Sequence, residues 1–289
     1  MTYHSGRFQD FSLLVFKEKE LVAILPANKV DEVLYSHQGL TYGGLILKES
    51  VKFSDVLTSF QELLIYLENE GVTEVILKSI PKIYHSLPSD ELDYLMFKMN
   101  SELLRSDILS VVQPGEMKLS KDRKNGVKRG EKHNLQVKEV TDLDEFWKDI
   151  LIPNLKEKYN VAPVHSLDEI NLLKSKFPNE IRQFNVYEQD KIVGGTTVFE
   201  TDQVAHSQYI SGNKDKNSLG SLDFLHHYLL DQVFTDKPYF DFGISNENQG
   251  QQINKGLQYW KEGFGARAIV QNFYKIKTKD HVQLTNIML

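Results

Sequence analysis

Apolar residues recur along this chain with two different periods, and each period predicts a different element. Runs of five to nine mostly apolar residues, bounded by Gly, Pro or charged residues, are typical of strands. Segments with apolar residues three and four positions apart are typical of amphipathic helices. In the first half, the predicted strands are 11–16, 21–25, 40–47, 72–80 and 108–112, and the predicted helices are 53–67 and 91–99.

The second half has a different order of elements. Three strands separated by short polar turns form a predicted meander, and an apolar helix follows them. The predicted strands are 135–140, 181–188, 191–200, 204–211, 239–244 and 268–276, and the predicted helices are 142–159, 166–176, 219–234 and 252–262. Segment 118–132 is rich in Lys and Arg and predicts an exposed helix, interrupted by Gly126, that connects domains 1–130 and 131–289.

A spacing repeat supports a duplicated architecture. Tyr42 lies in a predicted strand, and a helix start and a second strand follow 11 and 33 residues later. Tyr209 lies in another, with offsets of 10 and 31 residues. A strand-helix-strand unit of this length forms a right-handed crossover. We therefore expect two related halves.

Several short stretches resemble known acyltransferases. The order of elements in the second half, together with residues 259–264 (Tyr-Trp-Lys-Glu-Gly-Phe), resembles the GNAT acetyltransferases. A longer resemblance is to the Fem-like transferases, and it is carried by residues 37–44, 124–129, 193–197, 205–211, 239–245 and 254–267. The resemblance implies an α+β fold of two tandem GNAT-like (acyl-CoA N-acyltransferase-like) domains. Each would be a mixed, mostly antiparallel sheet flanked by helices.

The same resemblance implies an N-acyltransferase. Acetyl-CoA or another acyl-CoA would be the donor, and the acceptor would be an amino group of a small-molecule, nucleotide-linked or cell-envelope precursor. Two alternatives stay open: aminoacyl-tRNA-dependent, Fem-like transfer to a peptidoglycan precursor, and a non-catalytic GNAT-fold binding protein. The usual GNAT pyrophosphate loop is absent before residue 219, which weakens the assignment of coenzyme A. No heptad run resembles the coiled-coil arm of some Fem proteins, so tRNA is not favoured.

Acyl transfer to an amine needs a base, a group that stabilises the oxyanion, and an acid for the leaving group. Asp241 stands between Phe240 and Phe242, where burial would raise its pKa and suit a base. His206 is the second candidate base. Tyr259 matches the GNAT tyrosine that acts as general acid. The structural alternatives are a carboxylate that accepts backbone hydrogen bonds, a core histidine and a packed aromatic. The chain has no cysteine, and no serine motif resembles a nucleophile elbow, so we expect direct transfer.

Polar residues at strand ends and helix starts are the candidate ligand contacts. Strict alternation along strand 204–211 would place His206 and Gln208 on one face, and Ser207, Tyr209 and Ser211 on the other. A loop that runs into a helix N-terminus can hold phosphate with backbone N–H groups. The predicted cofactor contacts are Ser211, Gly212, Asn213, Gly220, Ser221, Asn246, Asn254 and Lys255. The predicted substrate contacts are His37, Tyr42, Gly43, Gly44, Tyr84, Gln208, Tyr209 and Ser245.

Composition narrows the function classes further. The 289 residues carry a formal net charge of −6, so nucleic-acid binding would need a local basic patch. The lack of cysteine excludes disulfides and thiolate zinc sites, and the nine histidines match no metal-binding motif, so we expect no metal. Segment 1–10 is polar and no apolar run approaches the ~20 residues of a membrane helix, which predicts a cytoplasmic protein without a membrane span.

Overall fold

The structure is a computed structural model that describes residues 6–288, apart from the side chain of Tyr159. The first five residues of the polar segment 1–10 lie outside the described residues. The chain forms two compact units. Unit 1 extends to Asp107 and also includes Gln249–Gln251 and the segment from Val270 onwards, whereas unit 2 comprises Ile108–Asn248 and Gln252–Ile269.

The described chain forms strands and helices, and six strands precede the first helix. The strands are β1 (Gln9–Asp10), β2 (Leu13–Lys17), β3 (Glu20–Leu25), β4 (Asn28–Val30), β5 (Val33–Tyr35), β6 (Ile46–Leu47), β7 (Glu74–Lys78), β8 (Glu102–Val112), β9 (Gln136–Val140), β10 (Ile181–Glu188), β11 (Lys191–Glu200), β12 (Val204–Gly212), β13 (Tyr239–Ile244), β14 (Asn246–Glu247), β15 (Gln252–Ile253) and β16 (Arg267–Lys277). The α-helices are α1 (Phe53–Asn69), α2 (Glu91–Lys98), α3 (Lys121–Lys132), α4 (Asp144–Phe146), α5 (Ile152–Tyr159), α6 (Leu167–Lys176), α7 (Lys216–Leu219), α8 (Ser221–Tyr228) and α9 (Lys255–Glu262). A π-helical turn, Trp147–Leu151, joins α4 to α5, and a second, Leu229–Val233, extends α8; short 3₁₀ turns span Lys82–Tyr84, Pro114–Glu116 and Thr278–Leu284.

Unit 1 packs α1 against sheet strands. Its larger sheet has the order β1-β4-β5-β7-β16, and β2, β3 and β6 form a smaller sheet. The apolar stripe predicted for segment 53–67 is confirmed, because α1 buries six residues at helical spacing. These residues are Val56, Leu57, Phe60, Leu63, Leu64 and Leu67.

Unit 2 is built on a mixed, mostly antiparallel sheet with the order β8-β13-β12-β11-β10-β9. Its parallel pair, β12 and β13, is in register from Val204 opposite Tyr239 to His206 opposite Asp241. Beyond this short pairing, β12 continues to Gly212 and β13 to Ile244. The two strands therefore separate directly after His206 and Asp241, and the candidate site lies at this divergence.

A β-bulge at Gln208 corrects the predicted faces of β12. Thr197 is opposite Tyr209, but Val198 is opposite Ser207, so Gln208 is an extra residue. A bulge shifts the alternation of side chains by one position. Tyr209 therefore lies on the same side of the sheet as His206. In agreement, the Tyr209 hydroxyl is hydrogen-bonded to His165, and the His165 ring lies 6.3 Å from the ring of Phe199. Phe199 is the cross-strand partner of His206. The prediction that these two residues occupy opposite faces was wrong.

Other sequence predictions were also changed by the structure. Segment 40–47 is a strand only at Ile46–Leu47, because Gly44 has a φ of 108° that breaks the extended run. Tyr42 therefore lies outside a strand, and the spacing repeat does not hold in that register. The predicted helix 219–234 is interrupted by Gly220, whose φ of 68° separates α7 from α8.

The basic helix α3 packs on α8, and both helices belong to unit 2. The chain after residue 270 returns to unit 1, because β16 pairs with β7 from Phe273 opposite Lys78 to Lys277 opposite Glu74. Among the described residues, no helix combines the length and the apolar composition that crossing a bilayer requires.

Candidate active site

The two candidate bases of unit 2 form one hydrogen-bonded pair. The register of β12 with β13 places His206 beside Asp241, and their Nδ1 and Oδ2 atoms are 3.0 Å apart. The backbone N–H of Gly243 donates to Oδ1 of Asp241 over 2.7 Å. Both side chains are buried. A carboxylate in this position fixes the orientation of the imidazole.

The second ring nitrogen of His206 faces the bulge. Its Nε2 lies 3.1 Å from Oε1 of Gln208, which is itself partly exposed. The bulge at Gln208 turns this amide towards the imidazole, so the predicted contact residue Gln208 belongs to the same cluster as the two candidate bases. Tyr209 is bonded to His165 instead, with 2.7 Å between the hydroxyl and Nδ1.

A buried lysine completes this cluster, and the sequence analysis did not identify it. Lys261 on α9 is 2% exposed, and its Nζ donates to the carbonyl oxygens of Gly243 (2.9 Å) and Ile244 (2.7 Å). Burial lowers the pKa of Lys261 to about 8, whereas the nearby Asp241 acts to raise it. Its spacing gave no signal of burial, because Leu257, four positions earlier on α9, is exposed and Phe264 lies beyond the end of the helix.

The predicted substrate contact Ser245 and the predicted cofactor contacts Asn246, Asn254 and Lys255 lie in α9 or in the segment that leads into it. Asn254 caps α9, accepting from the backbone N–H of Leu257 over 3.0 Å. Asn246 accepts from the backbone N–H of Ile108 over 2.6 Å. Ser245 is buried, and its hydroxyl has no hydrogen-bond partner among the described residues. Lys255 is exposed on the first turn of α9.

A cavity of about 580 Å³ lies in the same unit, between α3, α5, the end of β12, α7, α8 and α9. Three predicted site residues line it: Ser211, Gly212 and Tyr259. Tyr259 is 58% exposed and donates a hydrogen bond of 2.6 Å to Asp122. That bond and the negative charge of Asp122 raise the pKa of the Tyr259 hydroxyl. His206 and Asp241 are not among the residues that line the cavity.

The cavity wall is rich in cations. Arg123, Arg129, Lys158 and Lys216 line it, against the carboxylates of Asp122 and Asp223. Such a wall attracts anions in a chain whose net charge is negative.

Asp223 is the most connected of these charged residues. Its carboxylate accepts from Arg123 and from Nε1 of Trp260 (2.8 Å), and Arg129 lies 3.9 Å away. Burial raises the pKa of Asp223, and the two guanidinium groups oppose that rise. The residue thereby links α3, α8 and α9.

Close helix packing covers the predicted phosphate loop. Gly220 lies directly under the carbonyl of Gly126, and a Cβ atom at either glycine would overlap the opposite helix. Ser221 is fully buried at the start of α8. The structure thus encloses Gly220 and Ser221 beneath α3. Asn213 accepts from the backbone N–H of Asp215 over 3.0 Å, in the loop between β12 and α7.

The candidate acceptor residues of the first half lie in unit 1. His37 is buried with a φ of 57°, and its Nδ1 accepts from the backbone N–H of Gly39 over 3.1 Å. The hydroxyls of Tyr42 and Tyr84 are 2.8 Å apart. Gly43 is packed against the carbonyl of Ser36, and a Cβ atom there would overlap it. Gly44 and Tyr84 line a cavity of about 450 Å³. The structure thus brings Tyr42, Tyr84 and Gly44 to one region of unit 1.

Comparison with known proteins identifies the fold. Neither a family model nor a curated protein sequence matches this chain. Among solved structures, the chain is similar to the C-terminal domain of a putative lysylphosphatidylglycerol synthetase from Agrobacterium fabrum, with 11% identity, coverage of 96% of this chain and 87% of that one, and a TM-score of 0.64. FemX matches with 10% identity, 98% and 92% coverage and a TM-score of 0.63. A tandem GNAT protein from the clavulanic acid biosynthesis pathway matches with 10% identity, 95% and 86% coverage and a TM-score of 0.51.

These similarities confirm the predicted α+β, GNAT-like fold, in which a mixed and mostly antiparallel sheet is flanked by helices. The structural neighbours include FemX, a domain of a putative lysylphosphatidylglycerol synthetase and a tandem GNAT protein. At identities of 10 to 11% the likeness concerns the fold alone, and the substrates require a separate argument from the site.

Proposed function

We propose that this chain is an N-acyltransferase that moves an acyl group from an activated donor to an amino group. The observation that carries the proposal is the His206–Asp241 pair, buried where β12 and β13 diverge in a GNAT-like fold. A buried carboxylate that holds an imidazole is the arrangement expected of a general base. The neighbouring cavity supplies a place for the donor.

In this mechanism His206 accepts the proton of the attacking amine while Asp241 keeps the imidazole oriented. The charge of Asp241 acts to raise the pKa of Lys261, against the effect of burial, so the two groups are close enough to interact. As the new C–N bond forms, the bond from the acyl carbon to the leaving sulfur or oxygen breaks. Tyr259, which already acts as a donor towards Asp122, is the group on the cavity wall that would protonate the leaving group.

Acetyl-CoA or another acyl-CoA is the first candidate donor, and a cell-envelope precursor or other small amine is the candidate acceptor. An aminoacyl-tRNA is the second candidate donor, and one observation favours it. Lys121, Lys124, Lys128 and Lys132 are exposed at spacings of three and four along α3, so they share one outer face. The same helix contributes Asn125 and Arg129 to the cavity, and such a basic face suits an RNA backbone.

The test is a transfer assay with radiolabelled acyl-CoAs and charged tRNAs, each offered to a panel of amines. Substitution of Asp241 by Asn, or of His206 by Gln, should lower kcat by roughly 10²- to 10⁴-fold, the usual contribution of a general base. Donor binding, measured by calorimetry, should change little because neither residue lines the cavity. His133→Gln is the matched control, since His133 pairs with Glu188 at the surface. Donor binding without transfer by the wild type would favour a non-catalytic binding protein.

A further inference from the structure

Two lysines meet on the wall of the unit 2 cavity. Lys158 belongs to the last turn of α5, and Lys216 is the first residue of α7. Both line the cavity, and Lys158 is the charged neighbour that helps to lower the pKa of Lys216. Two neighbouring ammonium groups repel each other unless an anion lies between them.

The backbone around these lysines is fixed. Asn154, one turn before Lys158, donates to the Ser211 hydroxyl (2.8 Å) and to the carbonyl of Gly212 (2.7 Å), so α5 is tied to the end of β12. A Cβ atom at Gly212 would lie 2.9 Å from Cβ of Lys216, which shows how closely that side chain packs over the glycine. Held segments lose less conformational entropy when a ligand binds than free ones do.

Arg129 adds a third positive charge to the same wall. Its Nη2 atom is 3.9 Å from Asp223, but that carboxylate is already bonded to Arg123 and Trp260. The Nε–H of Arg129 has no hydrogen-bond partner among the described residues. Burial, and then the adjacent Lys158, lower the pKa of Lys216 to about 8, as expected for a cation without a counter-ion.

The start of α8, which can hold phosphate in many α/β proteins, lies under α3 here. The side chains of the cavity wall are therefore the groups that we consider for holding a phosphate.

We propose that Lys158 and Lys216 form a clamp for a phosphate group of the acyl donor, with Arg129 as its third contact. The inference rests on the proposed function, because the phosphate belongs to the acyl donor that this function requires. Coenzyme A and the 3′ end of an RNA both carry such phosphates. The clamp fixes the phosphate end of the donor in the cavity, and the acyl end is then directed along β12.

Titration calorimetry tests the clamp with three probes: inorganic pyrophosphate, free coenzyme A and uncharged tRNA. Lys158→Gln and Lys216→Gln should each weaken binding of pyrophosphate by about tenfold, and the double variant by about a hundredfold, as expected for the loss of charge-assisted hydrogen bonds. Lys156→Gln and Lys214→Gln are the matched controls, because these lysines are exposed neighbours that do not line the cavity. The controls should bind like the wild type.

The larger probes identify the source of the phosphate. If the variants lose affinity for coenzyme A and not for tRNA, the clamp serves a thioester donor; the reverse result assigns it to an RNA donor. The clamp is overturned if the wild type binds none of the three probes, or if the double variant binds them all as the wild type does. Unchanged binding together with transfer that depends on Asp241 would remove the clamp and leave the proposed function standing. If binding depends on the two lysines but no amine is acylated, the phosphate clamp stands and the proposed transferase function is rejected.

Discussion

Replacing Asp223 by Asn should destabilise unit 2 strongly. The carboxylate is 6% exposed and accepts from Arg123 and Trp260. Asn retains an acceptor for Trp260 but removes the charge that compensates Arg123, whose side chain is 13% exposed. Removal of one partner from a buried ion pair costs about 3–5 kcal/mol, because the other charge stays buried. Burial raises the pKa of Asp223, and its guanidinium partners lower it. The desolvation cost therefore offsets part of the attraction within the ion pair, and we expect a loss at the lower end of this range, about 3 kcal/mol.

Tryptophan fluorescence during urea unfolding measures this loss. The chain has two tryptophans, Trp147 and Trp260, and both belong to unit 2, so the signal reports on that unit. With an m-value of about 2 kcal/mol per molar urea, a loss of ~3 kcal/mol lowers the midpoint by about 1.5 M. The control is Glu188→Gln, which breaks an exposed pair with His133 in the same unit and should change stability by less than about 0.5 kcal/mol.

The reasoning fails if Asp223→Asn costs no more than this control. The double variant Arg123→Met with Asp223→Asn provides a second check. Removal of both charges should recover part of the loss, because no uncompensated guanidinium remains. If the double variant loses as much stability as the two single variants, Arg123→Met and Asp223→Asn, lose together, the two charges are not coupled and the reasoning fails.

Three further changes test other parts of the argument. Gly220→Ala should destabilise unit 2 by more than about 2 kcal/mol, because the new Cβ atom clashes with Gly126 and the left-handed backbone is strained. Gly71→Ala is the control: Gly71 has a φ of 73° and open space around it, so the substitution should cost only the backbone strain of about 1–2 kcal/mol. Urea unfolding measures both changes. Lys261 has a folded pKa of about 8 against an ordinary 10.5, so its buried charge costs stability below pH 8, and that cost disappears as the pH rises to about 10.5. Relative to Lys261→Met, the wild type should gain about 3 kcal/mol over this window, and a flat difference would contradict the assigned burial. Ser166→Ala removes the capping box of α6 and should cost about 1 kcal/mol in thermal unfolding, whereas Ser218→Ala, at an exposed position, should cost less.

Most of the local structure and part of the candidate site could be predicted from the sequence. A helix such as α1 is predictable because six apolar residues at helical spacing have one way to be buried together. The pairing of His206 with Asp241 was not predictable, since it depends on the register of two strands that lie about 35 residues apart. Both residues could nevertheless be selected as candidates, because polar side chains within apolar strands are costly without a role or a partner.

The misplaced features share a physical cause. A bulge such as that at Gln208 is defined by the pairing of β12 with its partner strand. The alternation of polar and apolar residues along β12 alone therefore cannot predict it. Lys261 was missed because a long cationic side chain is usually solvated, and only the tertiary fold shows that its amine is enclosed by two carbonyls. Gly126 predicted a break in a basic helix, but the structure uses it for close approach of α8.

The discontinuous course of unit 1 has a consequence for the order of folding during synthesis. The segment that begins at Val270 supplies β16, whose Phe273 pairs with Lys78 in β7, nearly two hundred residues earlier. A ribosome releases the chain from its N-terminus, so unit 2 has most of its strands outside the tunnel before β7 can meet this partner. Until β16 is synthesised, the edge of β7 that pairs with it stays unpaired. The loop between β7 and β16 is long, so its closure is entropically slow. A chaperone that shields this edge should act on the N-terminal hundred residues, and the time it is needed should end when β16 emerges.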